Sequence, residues 1–182
     1  MKLFAAVGSP RKRGNTDLLI DALLDGARNE GATTEKVYLC DLHIEPCDGC
    51  EVCFSTGECV HQDDMIPLYG KLLDSDVWVL GTPVYFWGPS AWLKAFIDRW
   101  YYFVENQGDR LQGKRAVLVA PFGDADPATP RHLVGMLADS FRYMEMDFAG
   151  QILVTASERG EVAKDRAAME KARELGRRLA KG

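Results

Sequence analysis

Apolar and polar positions alternate along this chain in two rhythms. Lys2-Leu3-Phe4-Ala5-Ala6-Val7 is a short apolar run, the pattern of a strand buried on both faces. Leu18, Leu19, Ala22, Leu23 and Ala27 then recur at helical spacing. The same alternation predicts a second strand over Thr33 to Leu39, a short helix over Asp64 to Leu73 and a third strand over Asp76 to Gly81. Ser90 is placed to cap a helix with Trp92, Phe96 and Trp100 on one face. A fourth strand over Arg115 to Ala120, a helix around Arg131 to Tyr143 and a fifth strand near Phe148 to Thr155 follow. The last helix runs from about Val162 to Leu179, with Met169, Ala172, Leu175 and Leu179 facing inward. Only from Cys40 to Asp63 does periodicity fail. With no internal repeat and no linker, residues 1–182 read as one domain with a cysteine-rich loop at about 40–63.

Strands alternating with helices predict a three-layer α/β fold. Its sheet would be parallel and five-stranded, in the order 2-1-3-4-5, with helices on both faces and the cysteine-rich insertion after the second strand. Ligands of such sheets sit outside the carboxyl ends of the strands. That gathers three loops: Ser9 to Thr16, Thr82 to Gly88, and Pro121 to Asp124. The first is Gly8-Ser9-Pro10-Arg11-Lys12-Arg13-Gly14-Asn15-Thr16, a strand-to-helix turn. Two glycines let the backbone bend, hydroxyl and amide side chains can donate, and the helix N-terminus favours an anion. It is not a P-loop, because Asn15 stands where lysine is required, and Pro10 breaks the Gly-x-Gly-x-x-Gly fingerprint. The bland alternative is an ordinary turn with a basic, solvated tip. The second loop is aromatic and apolar, suited to a flat heterocycle, so a mononucleotide with a large ring is the economical ligand.

A net charge of −5 with dispersed basic residues argues against nucleic acid as a partner. No apolar run approaches a membrane span, and no leader precedes the first strand, so the expected location is cytoplasmic. In a reducing compartment five cysteines suggest metal or redox chemistry rather than disulfides. Cys47-x-x-Cys50-x-x-Cys53-x5-Cys59 is closer to ferredoxin spacing than to the paired knuckles of four-cysteine zinc sites. An iron-sulfur cluster, zinc and a reduced loop without metal all stay open on spacing alone. Cys40, outside the set, reads as a small buried residue.

Gly-Ser-Pro-Arg-x-x-Gly-Asn-Thr at the first turn, with Thr-Pro-Val-Tyr-Phe-Trp-Gly after the third strand, resembles the flavodoxin-like NAD(P)H-dependent FMN reductases. The four cysteines followed by Asp63-Asp64-Met65 resemble the iron-sulfur flavoprotein branch of that superfamily. The resemblance covers roughly the first two thirds of the chain. It implies FMN, with its phosphate at Ser9, Arg11, Gly14, Asn15 and Thr16. The ring would be held by Pro83, Val84, Tyr85, Phe86, Trp87 and Gly88, with Phe122, Gly123 and Asp124 at its far edge. It also implies a [4Fe–4S] cluster on Cys47, Cys50, Cys53 and Cys59, and NAD(P)H as electron donor.

A flavin carries its own redox chemistry, so no catalytic side chain is expected, and His43, His61 and His132 read as surface or structural residues. The function that follows is an FMN-dependent oxidoreductase passing electrons from NAD(P)H or a reduced protein carrier to a quinone, flavin or other small acceptor. The alternatives are a non-catalytic flavodoxin-like electron carrier and a nucleotide-binding module with structural zinc. Trp92, Phe96 and Trp100, with Tyr101 and Tyr102 beside them, suggest a subunit interface, and hence a homodimer or homotetramer.

Overall fold

The computed structural model describes residues 1–181, the side chain of Glu105 excepted. Strands β1 (Lys2–Val7), β2 (Thr33–Tyr38), β3 (Val77–Gly81), β4 (Arg115–Phe122) and β5 (Asp147–Thr155) form one sheet. All its pairings are parallel, as the alternation predicts, and its order is the expected β2-β1-β3-β4-β5. The helices are α1 (Asn15–Asn29), α2 (Val52–Thr56), α3 (Met65–Leu73), α4 (Ala91–Asp98), α5 (Tyr101–Asn106), α6 (Arg131–Tyr143) and α7 (Arg166–Lys181). Single 3-10 turns cover Leu39–Asp41, Gly108–Arg110 and Glu161–Lys164.

The two-residue period of the strands sorts their side chains into two cores. Leu3, Ala5, Val7, Val77, Val79, Val117 and Val119 pack against Leu19 and Leu23 of α1 and Ala172, Leu175 and Leu179 of α7. Phe4, Ala6, Trp78, Leu80, Ala116 and Leu118 pack on the other face against α3 to α6. Here the structure corrects the expected interface. Phe96 and Trp100 are buried in this second core, Trp100 stacked on Phe141 with centroids 6.1 Å apart; only Trp92 of the three is exposed. Trp100, between α4 and α5, meets Trp78 of the sheet and Phe141 of α6, so it is covered from both sides.

Sequence boundaries hold to within a few residues elsewhere, with two differences. β4 runs on through Pro121 and Phe122, paired to Val154 and Thr155, where a loop is expected. The final helix starts at Arg166, because the chain first makes the 3-10 turn over Glu161–Lys164.

Helices α1 and α7 lie almost backbone to backbone. A Cβ on Gly176 would stand 1.9 Å from the Leu23 carbonyl oxygen, and one on Gly26 2.1 Å from that of Arg173. Backbone cannot yield as a side chain end can, so Gly176→Val is expected to cost about 1–3 kcal/mol by overpacking. Urea unfolding measures this directly, and an unchanged midpoint would contradict so close a contact.

Candidate functional site

The cleft lies where the helix rhythm begins, at the carboxyl end of β1. Gly8 extends the ladder, its amide donating to the Gly81 carbonyl at 2.7 Å. Ser9 and Thr16 are buried, while Arg11 and Arg13 reach outward. Arg13 is left-handed (φ 59°), a conformation that few non-glycine residues adopt. Its amide is held there by the Asp17 carboxylate at 2.6 Å. Asp17 is itself buried and accepts from Lys36 Nζ and the Tyr38 hydroxyl, both at 2.8 Å. Burial pushes this carboxyl up, but those donors outweigh it and leave its pKa below the ordinary value. The acidic residue in the first turn of α1 is thus turned away from the cleft and shapes the loop from behind. No side chain caps α1, whose N-cap is Gly14. Its first-turn N–H groups are therefore presented to the cleft, which suits an anion.

The cleft, about 270 Å³, is lined by Ser9, Arg11, Gly14, Asn15 and Thr16 from this loop, Pro83, Val84 and Tyr85 after β3, and Phe122 and Gly123 at the end of β4. A contiguous groove of about 240 Å³ continues past Val84 and Phe122 to Phe86, Trp87, Asp124 and Thr129. Gly88 lies beyond, on a wall shared with Phe86, Trp87 and His132. One end is thus polar and basic, the other aromatic. The aromatic end is a tight hairpin. Tyr85 and Gly88 exchange amide-to-carbonyl hydrogen bonds at 2.9 Å, and Phe86 and Trp87 between them both have positive φ, 46° and 63°. Bulky residues in the left-handed region are strained, and such strain clusters at ligand clamps. Phe86 is 95% exposed and Trp87 48%, so this aromatic surface is not serving the core. The hairpin base is fixed by Ser90, which caps α4 through Leu93 N and donates to the Gly8 carbonyl at 2.6 Å.

A fourth loop, after β5, completes the cleft with Ala156, Ser157 and Arg159; the sequence reading missed it. The signal was available, since every strand of a parallel sheet delivers a loop to this edge. The loop is tied down by Asn15. Its Nδ2 donates to the carbonyls of Ala156 at 3.3 Å and Glu158 at 2.8 Å, and its Oδ1 accepts from Val162 N at 3.3 Å. Glu161 accepts the amides of Ser157 and Glu158 at 2.7 and 2.9 Å. Arg159 reaches over the mouth, donating to the Lys12 carbonyl at 2.6 Å. Asn15 therefore lines the cleft as expected, but its side chain is already engaged in holding the loop that carries Arg159. Lys12 is engaged elsewhere, paired with Asp41 at 2.6 Å. Asn15→Ala should raise amide hydrogen exchange over residues 156–162 at least tenfold, the loss of about 1.4 kcal/mol of local hydrogen bonding. Unchanged protection would mean that Asn15 does not hold the loop.

The cysteine-rich loop follows β2 and contains α2, which packs on α5 and which periodicity did not reveal. Cys50 is exposed; Cys47, Cys53 and Cys59 are half-buried. Burial, then neighbouring Cys59, Cys47 and Cys50, push the Cys53 thiol up. The donor set suits a soft metal. Yet among the described residues no three His, Cys, Asp or Glu side chains are drawn together closely enough to hold one. Cys40 is half-buried rather than buried, its Sγ 3.8 Å from the Asp41 carboxylate. The histidines stay out of the cleft: His43 pairs with Glu45 at 2.8 Å, His61 lies 3.6 Å from Asp48, and His132 sits by the aromatic turn.

A doubly wound sheet with a basic anion cradle and an aromatic wall at its carboxyl edge defines a flavodoxin-like protein. Residues 1–158 match the family described as NADPH-dependent FMN reductase, and the chain belongs to that family. YwqN of Bacillus subtilis, named as an NAD(P)H-dependent FMN-containing oxidoreductase, is 27% identical over 183 residues, 98% of each chain. An iron-sulfur flavoprotein of Archaeoglobus fulgidus is 42% identical over 99 residues, 54% of this chain and 45% of that protein. The match thus spans about half the length of that relative. The solved structure of Trp Repressor Binding Protein from Bacillus subtilis superposes with a TM-score of 0.74 at 26% identity, covering 96% of this chain and 98% of that one. No helix among the described residues is long and apolar enough to cross a membrane.

Proposed function

We propose that the chain binds FMN in this cleft and acts as an FMN-dependent oxidoreductase using NAD(P)H. One observation carries the reading: a basic cradle at an uncapped helix N-terminus runs without a break into an aromatic groove. FMN, when bound, supplies the two-electron chemistry; the chain's residues bind, orient and expose it. Ser9, Thr16, the first-turn amides of α1, Arg11 and Arg159 hold the phosphate. Pro83, Val84, Tyr85 and Phe122 flank the ring, and the Phe86–Trp87 turn, with Gly123 and Asp124 opposite, forms the open wall where a donor or acceptor stacks. A quinone, a free flavin or another small planar acceptor suits that wall. Anaerobic mixing with NADH or NADPH tests this. Bleaching of the flavin absorbance within seconds supports the enzyme, whereas a bound flavin that neither nucleotide reduces would favour an electron carrier.

A second proposal concerns the cysteines. Their spacing and the name of the archaeal relative support a [4Fe–4S] cluster on Cys47, Cys50, Cys53 and Cys59. Iron and acid-labile sulfide after anaerobic reconstitution test it; zinc, or no metal with flavin retained, would reject it. Homo-oligomerisation stays a proposal too, now resting on exposed Trp92, Phe86 and Tyr143 and tested by static light scattering.

A further inference from the structure

Lys36 of β2 is not among the residues lining the cleft, yet its ammonium is drawn in behind the β1–α1 turn, its side chain 20% exposed. Nζ donates to Asp17 Oδ1 at 2.8 Å and to Asp21 Oδ1 at 2.5 Å. Burial alone would lower the Lys36 pKa, but Asp17 and Asp21 outweigh it and hold it above the ordinary lysine value. Both members of the Lys36–Asp17 pair are therefore charged. The Tyr38 hydroxyl donates to the same Asp17 oxygen at 2.8 Å. The Tyr38 ring carries the ammonium groups of Lys36 and Lys12, 5.0 and 5.1 Å from its centroid, so the loop touches this cluster a second time. A second buried pair, Arg99 with Asp63 at 2.6 Å, lies by the cysteine-rich loop and not at the cleft.

Asp17 clamps the turn. The peptide between Lys12 and Arg13 is pinned at both ends, its N–H by Asp17 Oδ2 and its carbonyl by Arg159 Nη2, each at 2.6 Å. That peptide leads through left-handed Arg13 to Gly14, the N-cap after which the first-turn amides of α1 face the cleft. A carboxylate in the first turn also has a cost, because it stands close behind the amides that suit an anion. At roughly 8 Å and an effective dielectric near 20, repulsion between two unit charges is equivalent to about 30-fold in an equilibrium constant. Lys36 cancels it: the pair is neutral, so the turn keeps its clamp without a net negative charge beneath the phosphate position. Asp21, its side chain 46% exposed, is screened by solvent.

We infer that Lys36 is a positioning residue which, by neutralising the Asp17 clamp, makes the cleft select phosphorylated flavin over unphosphorylated riboflavin. The inference rests on the reading that FMN binds here with its phosphate at this turn. It assigns the selection to a side chain that stands behind the loop rather than in the cleft.

The test is fluorescence titration of the flavin-free protein with FMN and with riboflavin, which differ only in the phosphate. Wild type should favour FMN. Lys36→Gln keeps a donor facing Asp17 and removes the charge. It should weaken FMN binding about 10- to 30-fold and leave riboflavin affinity unchanged, which also shows that the variant is folded. Asp17→Asn combined with Lys36→Gln keeps an acceptor for the Arg13 amide and removes both charges, so it should restore most of the preference for FMN. A full FMN preference in Lys36→Gln, or a double variant no better than the single one, overturns the inference and leaves the FMN reading intact. Equal weakening of both flavins marks a structural effect and overturns it too. Equal affinity of wild type for the two flavins would reject the phosphate position itself, and the inference with it. Should Lys36→Gln fail to fold, the double variant decides: a preference near that of wild type upholds the inference, and its loss overturns it.

Discussion

Arg99→Leu is expected to lower folding stability by about 3–5 kcal/mol, the cost of leaving one partner of a buried ion pair alone. Asp63 would remain with its side chain 3% exposed and only the amides of Glu45 and Met65, at 2.8 and 3.0 Å, to hold it. Burial pushes the Asp63 carboxyl up, but Arg99 and those amides outweigh it and set its pKa below the ordinary value. The sign of the pH dependence follows. A depressed carboxyl contributes stability that is fully present above its unfolded pKa, near 4, and is lost as pH falls through the folded value. Wild type should therefore lose stability on acidification below about pH 4, while Arg99→Leu, starting lower, should lose less over that range. Urea titrations at pH 7 and pH 3 measure both. Equal slopes against pH would show that the pair does not control the acid response.

Replacing Arg11 and Arg159 together by alanine is expected to weaken FMN binding by about 2–4 kcal/mol. Hydrogen bonds to a charged partner contribute roughly 1.5–3 kcal/mol each, and both guanidinium groups open to solvent, which favours the lower end. Arg159→Ala alone should account for about half the loss and flatten the salt dependence, as expected if the proposed phosphate contact is lost. Fluorescence titration of the flavin-free protein gives the affinities. Unchanged affinity in Arg159→Ala would leave the loop after β5 as a structural cover only.

The alternating pattern made most of the fold legible, because a parallel sheet covered on both faces writes its strands as apolar runs. The β2-β1-β3-β4-β5 order is the flavodoxin-like one that five strands and five helical segments fit. The polar end of the cleft was legible too, since glycine bends and donor side chains at a strand-to-helix turn are a local signal. What stayed hidden was carried by partners far apart in sequence. Asn15 reads as a phosphate donor, but its partners are backbone groups 141 to 147 residues away, and a backbone carbonyl has no letter in a sequence. Arg99 joins residues 36 to 54 positions earlier and lies in an aromatic stretch that reads as an interface. Its partners Glu45, Cys59 and Asp63 come from the aperiodic stretch, whose fold no local pattern states. The short α2 falls between left-handed Glu51 and Gly57 and is too brief to show a helical period.

We propose that one cleft holds one flavin mononucleotide, its phosphate at the β1–α1 turn and its ring between Val84, Tyr85 and Phe122, beside the open Phe86–Trp87 turn. The most direct measurement is mass spectrometry of the ligand released by heat from natively purified protein, with its amount per chain from absorbance. FMN near one equivalent per chain is the predicted result. Stoichiometric FAD, whose second nucleotide half the single cradle does not accommodate, or a chain that neither carries nor takes up flavin, would contradict it.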